Sequence, residues 1–113
     1  MNDKQATISA IKEKINDFIR QRGWGAGHNA LNLAVSINLE ASELLEIFQW
    51  CSQEEADRAA RETDREHFLE ELADVMIYCI ELATVYDVDI AAAIEGKMEK
   101  NGKKYPVKAP LGG

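Results

Sequence analysis

The chain has 113 residues, 46% of them hydrophobic, a net charge of −7 and two cysteines. That length suits a single domain spanning 1–113, and the acidic balance argues against nucleic acid as a partner. Cys51 and Cys79 lack CxxC spacing and make neither a zinc site nor a disulfide scaffold.

The first helix is expected from about Asp3 to Arg22, where Ile8, Ile11, Ile15, Phe18 and Ile19 recur at spacings of three and four. It carries no obvious chemistry and reads as scaffold, with Gly23 as its stop. The stretch from Gly23 to Asn29 is a glycine-rich loop matching neither phosphate-binding signature. Trp24 within it either caps the core or lines a pocket for a flat ligand.

A second helix follows from Asn29 or Ala30 to about Trp50. Ser52-Gln53-Glu54-Glu55 is a capping box that opens a short polar helix to about Arg61. Thr63-Asp64-Arg65-Glu66 reads as a second box, opening a third long helix from roughly Asp64 to Tyr86. Between Val75 and Ala83 every residue except Glu81 is apolar or aromatic. Such a helix must be buried nearly all round, more than the remaining helices of so short a chain can manage. A partner subunit is therefore expected, as a homodimer or homotetramer. Asp89 caps a fourth helix, about Ile90 to Lys100, with Ile94 and Met98 on its buried side and Asn101-Gly102 as its stop. The tail from Lys103 to Gly113, with Pro106 and Pro110, reads as extended. The fold class is thus all-α, a four-helix bundle that assembles into an oligomer. No uncharged apolar run reaches 18 residues, so no membrane span is expected. The polar start Met1-Asn2-Asp3-Lys4-Gln5 is unlike a secretory leader, which makes the cytoplasm the expected compartment.

The chemistry concentrates in two carboxylate pairs, Glu40-x-x-Glu43 and Glu71-x-x-Asp74. Residues three apart share a helix face, and each pair adjoins an apolar run that must face the core. Four acids in such a place repel one another and lose hydration unless a cation compensates them. An all-oxygen ligand set suits Mg²⁺, with Mn²⁺ as a second choice. The plainer alternative leaves all four on solvated helix edges or paired with lysines. A di-iron bundle would need Glu-x-x-His on two helices, whereas the chain has an acid three before a histidine only in Asp64-Arg65-Glu66-His67, without a second copy. No nucleophile elbow is present. Near the C-terminus Lys97 and Asn101 share a helix face, with Lys104 and Tyr105 following. These residues either meet phosphates or merely solubilise the tail. Carboxylates for a divalent ion, cations for phosphate oxygens and the rings of Trp24 and Trp50 for a base together fit a nucleoside triphosphate.

With those motifs in view, the sequence resembles the MazG-like superfamily of all-α nucleoside triphosphate pyrophosphohydrolases, in particular its dCTP pyrophosphatase-like branch. The likeness runs from about Trp24 to Pro106. It rests on the segments Leu39 to Trp50, ending in Phe-Gln-Trp, and Glu70 to Tyr78. It also rests on Lys97 to Asn101 with Lys104-Tyr105-Pro106, where Lys104 replaces the family's Arg. The loop before His28 departs from the family pattern, being rich in glycine and lacking a common Phe. The resemblance implies that Glu40, Glu43, Glu71 and Asp74 hold Mg²⁺ and form the catalytic set; one of the four, Glu40 or Glu43 among the candidates, is expected to act as general base. It implies that Lys97 and Asn101 meet phosphates with support from Tyr105. Trp24, His28, Trp50 and Tyr78 would join them in binding substrate. The activity implied is hydrolysis of a nucleoside triphosphate, dCTP or a modified pyrimidine, to monophosphate and pyrophosphate, as in clearance of nucleotide pools. Phosphoribosyl-ATP pyrophosphohydrolase and a non-catalytic nucleotide-binding module are the alternatives. Trp24 and Trp50 flank the second helix, and a straight helix of that span is roughly 30 Å or more long. Both rings cannot meet one base in one subunit unless the loop folds back. The alternative is that Trp24 enters a neighbour's pocket.

Overall fold

The structure, a computed structural model, describes residues 1–108. Among them lie five α-helices and no strand: α1 Ile8–Gln21, α2 Ala30–Glu46, α3 Gln53–Arg58, α4 Arg65–Val85 and α5 Ile90–Lys104. The all-α expectation holds, with four long helices and one short connector.

Local chemistry sets the helix ends. α1 begins at Ile8 rather than Asp3, because Thr7 is extended and its hydroxyl accepts from the Ala10 amide. Residues 2–6 form a separate turn closed on the Asn2 carbonyl. α1 ends in a Schellman motif: the Trp24 amide reaches the Ile19 carbonyl and the Gly23 amide reaches that of Arg20. That closure requires a left-handed residue, and Gly23 supplies it with φ 66°.

α2 is capped by Asn29, whose side chain accepts from the Asn32 amide. It ends at Glu46, and residues 47–50 turn instead of completing the helix expected to Trp50. The Ser52/Glu55 capping box forms as expected. The second box does not. A π-helical turn over Ala59–Thr63 carries the chain into α4, so Thr63 is helical where a cap must be extended. Asp64 makes no side-chain cap hydrogen bond. α5 runs through Asn101-Gly102 to Lys104, because Gly102 does not take the positive φ that would stop it. Pro106 ends it instead, by forcing the preceding residue out of helical conformation, and Tyr105 has ψ 73°. The tail expected from Lys103 therefore begins at Tyr105, and its last residues, Pro110 among them, lie outside the described part.

α2 packs along α4, and α1 crosses α4. Ile19, Leu33, Ile80 and Ala83 are buried where these three helices meet. α5 touches the rest lightly, and Ile94 and Met98, expected on its buried side, are 54% and 65% exposed. Among the described residues no helix covers that stripe. Leu31, Val35 and Leu39 form a second exposed stripe on α2, and Leu69, Leu72 and Met76 a third on α4. The radius of gyration is 17.7 Å, against about 13 Å for a compact domain of this length. Among the described residues no helix is long and apolar enough to cross a membrane.

Candidate functional site

Where α2 lies on α4, Glu40, Glu43 and Glu71 each bring one carboxylate oxygen within 4.8 Å of the others. Glu40 and Glu71 are half-buried and Glu43 is exposed. Asp74, one turn beyond Glu71, is half-buried beside them. Burial pushes Glu40 up from 4.5 to about 7, and the hydrogen bond and charge of Glu43, then the charges of Asp74 and Glu71, add to it. Glu71 is raised as well, first by burial and then by Glu43, while His67 opposes the shift. His67 Nε2 stands 3.4 Å from Glu71 Oε1.

Only three buried side-chain oxygens among the described residues lack a hydrogen-bond partner, and two of them are Glu40 Oε2 and Glu71 Oε2. Buried carboxylate oxygens left unpaired beside other acids are costly. A divalent cation fits this donor set: hard oxygen ligands, excess negative charge and acceptors with nothing to accept.

Beside the cluster opens a cavity of about 510 Å³. Asp74, Tyr78 and Glu81 line one side of it, at i, i+4 and i+7 along α4 and hence on one face. Phe18, Trp24 and His28 line it from α1 and the loop. The Schellman closure aims Trp24, because the residue after Gly23 must turn back over the helix end. There the indole meets Phe18 edge-to-face, with ring centroids 5.8 Å apart. Arg22 covers the other ring with its guanidinium 3.5 Å above the Phe18 centroid. The loop is pinned to α4 at two points. His28 Nδ1 is 3.1 Å from Glu81 Oε1, and the Ala30 amide donates to the Tyr86 hydroxyl at 2.7 Å.

Asp74, Trp24, His28 and Tyr78 thus line one cavity, and Glu40, Glu43 and Glu71 cluster next to Asp74. Of the two readings of Trp24, the pocket-lining one matches its position, and its ring faces the cavity of its own chain. Trp50 is elsewhere, 90% exposed after the turn that ends α2. Lys97 is exposed and Asn101 half-buried on α5, with Tyr105 at its end. Among the described residues no hydrogen bond or ion pair joins these three to the acids. Sequence reasoning missed three wall residues, Lys14 and Phe18 on the helix read as scaffold and Glu81 on α4. Glu81 had a visible signal, as the single acid in an apolar run. Phe18 had none, since an aromatic at helical spacing reads as core. Both cysteines are free thiols and neither lines this cavity.

Residues 35–111 match the model of the MazG-like family. The chain is 35% identical over 109 residues to dCTP pyrophosphatase 1 of Rattus norvegicus, covering 96% of this chain and 64% of that protein. With dCTP pyrophosphatase 1 of Homo sapiens it shares 33% over 103 residues, covering 90% of this chain and 61% of that one. The chain thus spans less than two thirds of the curated relatives it matches. Among solved structures, a pyrophosphatase from Archaeoglobus fulgidus superposes with a TM-score of 0.83 at 36% identity, covering 95% of this chain and 99% of that one.

Proposed function

The chain belongs to the MazG-like family, and from that premise we propose that it is a nucleoside triphosphate pyrophosphohydrolase. It takes a triphosphate and water to the monophosphate and pyrophosphate, breaking the bond between the α-phosphorus and the bridging oxygen. The observation that carries this reading is the crowding of Glu40, Glu43 and Glu71 next to Asp74, which lines an aromatic cavity. The acids hold a divalent cation, Mg²⁺ or Mn²⁺. When bound, it supplies Lewis-acid polarisation of a phosphoryl oxygen. Glu43, the exposed member, stands where water reaches it and accepts the proton of the attacking water. Trp24 and Tyr78 hold the base in the cavity, with His28 on its wall. The relatives named dCTP pyrophosphatase make dCTP or a modified pyrimidine the first substrate to test.

A second copy of the chain completes the site. The chain exposes 9158 Å², against roughly 6,200 Å² for a compact monomer of its mass. The excess is about 3,000 Å² on each copy, more than enough for the roughly 2,000–5,000 Å² that an obligate homodimer buries over both copies. The apolar stripes on α2, α4 and α5 are the surfaces such an interface covers. Lys97, Asn101, Tyr105 and Trp50 reach the phosphates and base from the neighbouring copy, as a homodimer or homotetramer. Light scattering reads this directly, and a strictly monomeric species of full helicity contradicts it.

Phosphorus NMR of dCTP incubated with the protein and Mg²⁺ tests the reaction. The expected products are dCMP and pyrophosphate, with turnover lost on chelation. Orthophosphate with dCDP, or chelator-insensitive turnover, overturns it. Tight triphosphate binding without turnover at any Mg²⁺ or Mn²⁺ concentration favours a non-catalytic module. Phosphoribosyl-ATP, run in parallel, separates the related pyrophosphohydrolase.

A further inference from the structure

The third buried oxygen without a partner among the described residues is Glu81 Oε2, and the acid cluster does not account for it. Glu81 is 4% exposed, the most buried charged side chain described. Its other oxygen, Oε1, meets His28 Nδ1 at 3.1 Å. A carboxylate with one oxygen engaged and the other unpaired in an apolar wall is expensive to keep. A structural role in fixing His28 accounts for Oε1 alone. Oε2 has no donor among the described residues, and Glu81 lines the cavity through which a bound molecule could supply one.

The dimensions of the α4 face suggest the donor. Asp74 and Glu81 are separated by two helical turns, about 10 Å along the axis. That is comparable to the length of a nucleotide from its α-phosphate to the far edge of its base. Tyr78 lies between them on the same face, and Trp24 and Phe18 close the opposite side. A nucleotide whose phosphates lie at Asp74 therefore places its base between the rings and its outer edge at Glu81.

We propose that Glu81 is the residue that selects the base, accepting a hydrogen bond at Oε2 from an exocyclic amino group. This rests on the pyrophosphohydrolase reading of the same site. Acidic side chains accept from the cytosine N4 amino group when proteins read that base directly, and a charged acceptor strengthens the bond. A keto base turns a carbonyl oxygen toward Oε2 instead. Two acceptors then face each other out of water, and neither is satisfied. Stacking on Trp24 cannot make this distinction, because every base has a π-face. Amino-bearing bases are thus favoured over keto bases, dCTP over dUTP.

Calorimetric titration with the non-hydrolysable α,β-imido analogues of dCTP and dUTP, in Mg²⁺, tests the assignment. The wild type is expected to bind the amino analogue at least tenfold more tightly. Glu81→Gln, whose amide can turn either a donor or an acceptor to the base, should reduce that ratio tenfold or more. Glu81→Asp, which keeps the carboxylate, should retain part of it, and circular-dichroism melts show whether each variant is folded. A wild type that does not distinguish the two analogues, or a ratio equal in wild type and folded Glu81→Gln, overturns the proposal. Pyrophosphate release by the wild type is measured on the same samples. Discrimination that depends on Glu81 without any release refutes the catalytic reading alone. Release with a ratio indifferent to Glu81 refutes the Glu81 assignment alone.

Discussion

Glu71 and Glu81 belong to the same helix, yet their surroundings differ in kind. Glu71 sits in a crowd, raised by burial and by Glu43, with His67 pulling the other way. Glu81 is alone in an apolar stretch, with one imidazole beside it. Both leave a buried oxygen unpaired. Several acids around one point concentrate charge that a metal ion can neutralise, whereas a single acid in a dry wall offers one directed hydrogen bond. On the proposed reading the same residue type serves charge at one end of the face and recognition of the base at the other.

The strongest way to break this comparison is to remove an acid from the crowded end. Glu40→Gln should lower kcat for pyrophosphate release at least about 100-fold, equivalent to roughly 3 kcal/mol of lost transition-state stabilisation. The same change should raise the melting temperature of the metal-free protein, because it relieves repulsion. A metal-ligating acid loses activity while gaining apo stability. A merely structural acid loses both, so steady-state kinetics and apo melting curves together decide.

At the other end, Trp24→Ala should cost about 1–3 kcal/mol of base binding, the range for stacking on an aromatic. That corresponds to a kcat/KM lower by about fivefold to 150-fold, carried mostly by KM. A fall confined to kcat would place Trp24 at the phosphates rather than the base. The backbone beneath it is the next test. Gly23 has φ 66° with no atom close to where a Cβ would stand, so Gly23→Ala meets conformational strain and no clash. It should cost about 1–2 kcal/mol of stability by denaturant titration. A weaker KM should accompany the loss, because the same turn aims Trp24.

The mildest probe is pH. Glu40 is held at about 7 in the fold against 4.5 ordinarily. A carboxyl raised by folding favours the folded state while both states are protonated. That contribution is therefore complete below pH 4.5 and lost as pH climbs through 7. Melting temperatures of the metal-free protein should decline across that window. The increment on adding Mg²⁺ should grow across it, since cation and proton compete for the same oxygens. A Mg²⁺ increment independent of pH would place the cation elsewhere.

Most of the fold could be read from spacing and caps. Isoleucines at intervals of three and four marked α1, Ser52 with Glu55 marked α3, and Asp89 marked the start of α5. The errors share a cause, namely that short signals compete with the chain around them. Thr63 looks like a cap, but the π-helical turn carries the helix through it. Asn101-Gly102 looks like a stop, but only a left-handed Gly102 would stop the helix, and Pro106 does so instead. Ile94 and Met98 have the spacing of a buried face, and spacing cannot say that the face is bare within one chain. At the site, Glu40, Glu43, Glu71 and Asp74 were legible because acids three apart on apolar helices are conspicuous. Phe18 and Lys14 were not, because their role depends on where α1 crosses α4, a distance in space that no local pattern encodes.

The division of labour along α4 can be measured without catalysis, by calorimetric titration of Mn²⁺ into the nucleotide-free protein. Saturable binding is expected, weakened by an order of magnitude or more in Glu40→Gln and left intact in Glu81→Gln. Binding indifferent to Glu40→Gln, or abolished by Glu81→Gln in a folded protein, would contradict it.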